Sequence, residues 1–177
     1  MMWATAPVIQ AFRRAWVDHA LRTSLAALSS VLVGGLLRLP ETYWAAVTAM
    51  IVMQSTLGAA LAVSWQRFAG TALGAAAGAL LASYFASNLL VFTLGVFLLG
   101  LICGGLRLDR SAYRFASITL AIVMLIARTR PAWIVATHRF VEVSVGIAMG
   151  LLVTAVWPES TPGKPASDRT SRSLPDH

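Results

Sequence analysis

The chain is organised as continuous apolar runs, and its charges fall almost entirely between them. The stretches 23–37, 89–106 and 140–157 hold one charged residue among them, Glu142. Runs of this length favour lipid over water, and a backbone in lipid must satisfy its own hydrogen bonds, which leaves helices or closed barrels. A barrel needs short segments of strict apolar and polar alternation, and none is present. The fold class read from the sequence is therefore all-α, a polytopic membrane helical bundle. Composition agrees: 58% of residues are hydrophobic and 12% charged, with a mean hydropathy of +0.73, against about 25% charged in an ordinary soluble domain.

Breakers divide the runs into six expected transmembrane helices, at 21–37, 43–57, 68–85, 89–106, 115–127 and 140–157. Arg38-Leu39-Pro40 closes the first, and Gly58 the second, with 59–66 leading helically into the third. Ser87-Asn88 make a turn, and Arg107, Asp109, Arg110 and Arg114 mark a charged loop. Arg128-Thr129-Arg130-Pro131 separates the last two spans, Pro131 suiting a first helical turn with Thr129 as a cap. Residues 1–20 read as an N-terminal cytoplasmic or interfacial segment, with Val8, Ile9, Phe12 and Trp16 near helical spacing. Residues 21–158 form the transmembrane domain, and 159–177, rich in Ser, Thr, Pro and charge, a disordered cytoplasmic tail. The first run ends without a small-residue cleavage site, so it is expected to be a retained span rather than a signal peptide.

A net charge of +7 would suggest nucleic acid as partner of a soluble protein. Here the basic residues flank spans, so topology explains them and no nucleic acid is expected. With a cytoplasmic N-terminus, ten of the 14 basic residues fall in inside segments, which predicts both termini in the cytoplasm.

The two halves resemble each other. Gly34-Gly35-Leu36-Leu37-Arg38-Leu39 parallels Gly104-Gly105-Leu106-Arg107-Leu108. Val47-Thr48-Ala49-Met50-Ile51-Val52-Met53 parallels Ile118-Thr119-Leu120-Ala121-Ile122-Val123-Met124. Gln66-Arg67-Phe68 with Gly74 and Gly78 parallels His138-Arg139-Phe140 with Gly146 and Gly150. Repeats of three spans (about 21–85 and 89–158) must enter the membrane in opposite senses, giving two inverted three-helix repeats. Such repeats place sites near the midplane beside short, interrupted helices. Spans two and five fit, both being shorter than the roughly 20 residues a crossing takes.

Arg67 and Arg139, near the starts of spans three and six, are candidate anion-binding groups, since guanidinium holds a carboxylate through paired hydrogen bonds; snorkelling to headgroups is the alternative. Glu142, one turn after Arg139, is a candidate for proton coupling or for an ion pair with either arginine. Gln54 and Gln66 are candidates for hydrogen-bonding a substrate, or for interhelical bonding. Thr48 and Thr119 are set aside because threonine in a membrane helix usually bonds its own backbone, and His138 as an incidental loop histidine. Gly70, Gly74 and Gly78, with Gly146 and Gly150, form small-residue stripes for close helix packing, where spans three and six are expected to meet each other or a second subunit. The single cysteine, Cys103, allows no intrachain disulfide and is expected against lipid or a neighbouring helix. No phosphate loop, metal-binding helix or nucleophile elbow is present, so no catalytic residues, metal or cofactor are expected.

The stretches Tyr43-Trp44 through Val52-Met53-Gln54-Ser55, Gln66-Arg67-Phe68-Ala69-Gly70-Thr71-Ala72-Leu73-Gly74, His138-Arg139-Phe140-Val141-Glu142 through Gly146, and Trp157-Pro158 resemble the fusaric acid resistance (FUSC) family, also called the aromatic acid exporter superfamily. The likeness covers about residues 20–158. It implies a multi-pass protein of the bacterial inner membrane, exporting small aromatic or other organic anions, with Arg67, Arg139 and Glu142 at the family's recurring polar positions. It further implies a homo-oligomer working in the lipid bilayer, with a periplasmic adaptor as a candidate partner. The competing reading is a non-transporting scaffold or partner subunit of a larger complex.

Overall fold

A computed structural model describes residues 6–54, 56–85, 88–126 and 130–158, with side chains from residue 14 onward. Among these residues all regular structure is α-helical: α1 (Ala6–Leu36), α2 (Tyr43–Val52), α3 (Leu57–Tyr84), α4 (Leu89–Gly105), α5 (Arg110–Leu125) and α6 (Ala132–Val156). Ser87 and Thr129, and the segments 1–5 and 159–177, lie outside the described residues.

Several helices run past the charged residues at which the apolar pattern stops. α1 is continuous across residue 20, so no break divides residues 6–20 from the first apolar run. α3 absorbs its helical lead. α5 starts at Arg110 behind Asp109 and α6 at Ala132 behind Pro131, rather than at 115 and 140. Arginine, alanine and tyrosine are all compatible with helix, and charge alone does not end one. Elsewhere the stops are local. The Thr56 side chain accepts from the Ala59 amide at 3.3 Å, and Asn88 Oδ1 from the amides of Leu90 and Val91 at 3.0 and 3.2 Å, each capping a helix start. α1 and α4 end alike. Arg38 (φ 54°) and Arg107 (φ 55°) take the left-handed conformation. The following amides reach back to the carbonyls of Gly34 (3.0 Å) and Cys103 (2.9 Å), as in a Schellman termination.

By length and composition α6 is the one described helix that meets the requirement for a membrane crossing, while α2 and α4 are apolar but shorter. The expected six helices are present, but two of the longer ones fall short of that requirement: α1 carries Arg14 and Arg22 within its length, and α3 is diluted by alanine and glycine. What points to lipid is the distribution of polarity. Leu36, Leu90, Leu89 and Leu32 are exposed at 83%, 82%, 68% and 64%, whereas Arg67, Arg139 and Glu142 are buried. A surface this apolar around charged residues suits a hydrocarbon solvent.

The buried interior is largely alanine, with Val52, Met53, Leu99, Leu120, Val123, Met124 and Val143 among its larger members. Glycines set the helix spacing. A Cβ on Gly70 or Gly74 would overlap the α5 carbonyls of Ala112 and Ala116 respectively, and one on Gly146 the α2 carbonyl of Ala45. One on Gly78 would lie 2.9 Å from Val123 Cβ, and one on Gly150 3.0 Å from Val52 Cγ1. The glycine stripe of α3 therefore lies against α5 and that of α6 against α2, rather than against each other. α3 and α6 touch elsewhere, through Phe68 and Phe140, whose ring centroids are 5.0 Å apart.

Candidate functional site

Thr48 occupies the middle of α2, where its hydroxyl donates to its own helix at Trp44 O, 2.8 Å away. That oxygen keeps lone pairs free, and they accept from Arg67 of α3, whose Nε and Nη2 lie at 3.1 and 2.9 Å. The Arg67 guanidinium also covers the Phe115 ring of α5, 4.7 Å from its centroid, an attractive arrangement of cation over aromatic face. Only 6% of Arg67 is exposed. Among the described residues it forms no ion pair.

Arg139 of α6 sits in the reciprocal setting, 4.2 Å over the Trp44 ring of α2 and 3% exposed. Its electrostatics differ. Nη2 donates to Glu41 Oε2 at 2.7 Å, and Nη1 lies 3.5 Å from Glu142 Oε2, while Nε and Nη1 make no hydrogen bond. Glu142, 1% exposed, accepts from the Glu41 backbone amide through Oε1 at 3.0 Å. The loop before α2 is thereby fastened to α6 by both the main chain and the side chain of Glu41.

Both guanidiniums line one cavity of about 10 Å³, walled by Trp44, Thr71, Phe115, Thr119 and Val143 among others. That is room for about one water molecule. Two buried cations facing a small aromatic-walled space, one of them without a carboxylate, can hold an anion and orient its plane.

The remaining sequence candidates lie apart. Gln54, just past α2, donates to Ile51 O at 3.3 Å. Gln66 donates to Asp109 Oδ2 at the start of α5. Neither lines the cavity. Thr119 bonds Phe115 O at 2.9 Å but borders the cavity. Cys103 is buried, against Leu99 and neighbouring apolar side chains of α4 and α5. Glu41 went unnoticed in the sequence because it sits in a short loop, its partner distant along the chain. The one local signal is a carboxylate directly after Pro40 and before a span.

A family model for the fusaric acid resistance proteins matches residues 16–176. The chain belongs to that family. It is 32% identical over 152 residues to a protein of Escherichia coli named "Uncharacterized transporter YdhK", covering 81% of this chain and 23% of that one. It is 25% identical over 153 residues to the E. coli "Inner membrane protein YeeA", covering 85% and 44%. The Salmonella typhimurium YdhK is 28% identical over 155 residues, covering 82% and 23%. The chain thus spans about a quarter of YdhK and under half of YeeA. No solved structure matches it significantly. Membership and the relatives' names support a membrane protein of transporter type and give no sign of catalysis.

Proposed function

We propose that this FUSC protein is a transporter subunit of the bacterial inner membrane that moves small organic anions, aromatic carboxylates among them, with Arg67 and Arg139 as the anion-binding groups and Glu142 beside them as the coupling acid. The observation that carries the reading is that two buried arginines line one cavity, with Arg67 lacking a carboxylate partner among the described residues. An arginine held in an apolar bundle at that cost marks a functional position by default.

The same reading treats the six helices as two inverted triplets with both termini cytoplasmic. Reciprocal contacts support it. Gly74 meets the Ala116 carbonyl as Gly146 meets that of Ala45, Gly78 meets Val123 as Gly150 meets Val52, and Arg67 covers Phe115 as Arg139 covers Trp44. In every case the partners are positions paired by the sequence repeat or its direct extension. The cavity then lies where inverted repeats place their substrates. At about 10 Å³ it is too small for an organic anion, which enters only as the helices part. The exposed leucines of α1 and α4 are left for lipid or a second copy, and a periplasmic adaptor is the partner suited to an exporter.

The test is tolerance of a deletion strain to a panel of aromatic acids. Arg67→Ala and Glu142→Gln are expected to insert normally and to abolish protection. If both protect as well as the wild type, the site is wrong; if deletion changes no tolerance or efflux and the protein co-purifies with a larger assembly, a scaffold role replaces transport.

A further inference from the structure

The two arginines are placed alike but are not neutralised alike. Three residues after Arg139 stands Glu142, whereas three residues after Arg67 stands Gly70. Glu41 meets α6 at Glu142, and the corresponding contact on α3 is that of Gly70 with Ala112. Both acids are therefore confined to the Arg139 side. Of these two acids Glu142 is sealed inside, but the Glu41 side chain is 42% exposed, so its carboxylate spans from the surface of the protein to a guanidinium that is 97% hidden. It occupies Nη2 alone, leaving Nε and Nη1 of Arg139 without hydrogen bonds.

We propose that Glu41 is an internal carboxylate ligand: it holds Arg139 while the cavity is closed, and the carboxylate of the transported anion takes its place when the cavity opens. This rests on the reading of the cavity as an organic-anion site and adds what regulates access to it. The exchange replaces one carboxylate by another at Arg139, so it leaves the buried charge unchanged, which suits a singly charged carboxylate. The Glu41 main chain can stay in position during the exchange, because its amide is separately bound to Glu142. Arg67, with no acid to displace, supplies the standing attraction for the incoming anion.

The experiment is equilibrium binding of radiolabelled benzoate to the full chain in lipid nanodiscs. Removing a competing charge-assisted hydrogen bond in Glu41→Gln is expected to tighten benzoate binding about tenfold, and Glu41→Asp, whose shorter arm reaches Arg139 less well, to tighten it by a smaller factor. Adding Arg67→Ala to Glu41→Gln is expected to remove the binding. If Glu41→Gln and Glu41→Asp bind benzoate no more tightly than the wild type while Arg67→Ala alone still weakens it, the exchange is overturned and the anion site stands. If neither wild type nor Glu41→Gln binds benzoate, the exchange falls together with the anion reading.

Discussion

Replacing Gly74 by alanine puts a methyl group into the backbone of α5. The new Cβ would stand 2.9 Å from both Cα and the carbonyl carbon of Ala116 and nearer still to the oxygen. Carbon atoms pack best at about 3.5–4.0 Å, so α3 and α5 must separate, and the obstructing atoms are main chain rather than the end of a movable side chain. Overpacking of this kind costs up to about 3 kcal/mol, while alanine recovers about 1 kcal/mol over glycine in a helix. The net loss is about 2 kcal/mol, which for a chain of this size lowers Tm by roughly 4–8 °C. Cys103 provides the assay, being the single thiol and buried: a maleimide dye becomes fluorescent as unfolding exposes it. Gly58→Ala is the control, because nothing lies within 4 Å of a Cβ there, and it is expected to melt at or slightly above the wild-type temperature. If Gly74→Ala melts with the wild type, or Gly58→Ala falls as far, glycine contact does not set the α3–α5 spacing.

Thr48→Val removes the acceptor of Arg67 and is expected to cost about 1–3 kcal/mol in the same melting assay, whereas Thr119→Val, which gives up a bond to its own helix, should stay within about 0.5 kcal/mol of the wild type. Arg67→Lys keeps the charge but cannot direct two N–H groups onto Thr48 or lie flat over Phe115; it should retain less than a tenth of transport, and full activity would show that charge alone suffices. Cysteines introduced singly at Asp109 and Arg130 in a Cys103→Ser background should label from the cytoplasmic and periplasmic sides respectively, and labelling of position 109 from outside would refute the inverted arrangement.

Glu142 stands out in the sequence as the one acidic residue inside an expected span, and Arg67 and Arg139 by their matched places at the starts of spans three and six; the structure buries all three. Thr48 does not stand out, since its hydroxyl bonds its own helix as threonine usually does; its role comes from an oxygen that can accept as well as donate, and nothing in a one-dimensional pattern displays a spare lone pair. Glu41 was hidden differently. A carboxylate in a short loop is the commonest of surface features, and only the fold brings it to Arg139. The glycine stripes were visible as stripes, but their partners were not. Spacing identifies the face of a helix that tolerates close approach, and says nothing of which helix approaches. Helix starts were misplaced where the apolar pattern ended at an arginine and the helical backbone did not, as at Arg110.

The glycine contacts also bear on how the protein is made. α2 rests its alanine face on α6, and α3 rests its glycines on α5, so the second and third helices find their closest partners among the last three. A ribosome delivers α2 long before α6. Until then the side of α2 that packs on α6 lacks that partner, and the Glu41 loop has no Arg139 to grip. Synthesis and packing are thereby separated in time, and α6 fastens α2 and the Glu41 loop only after both have been made.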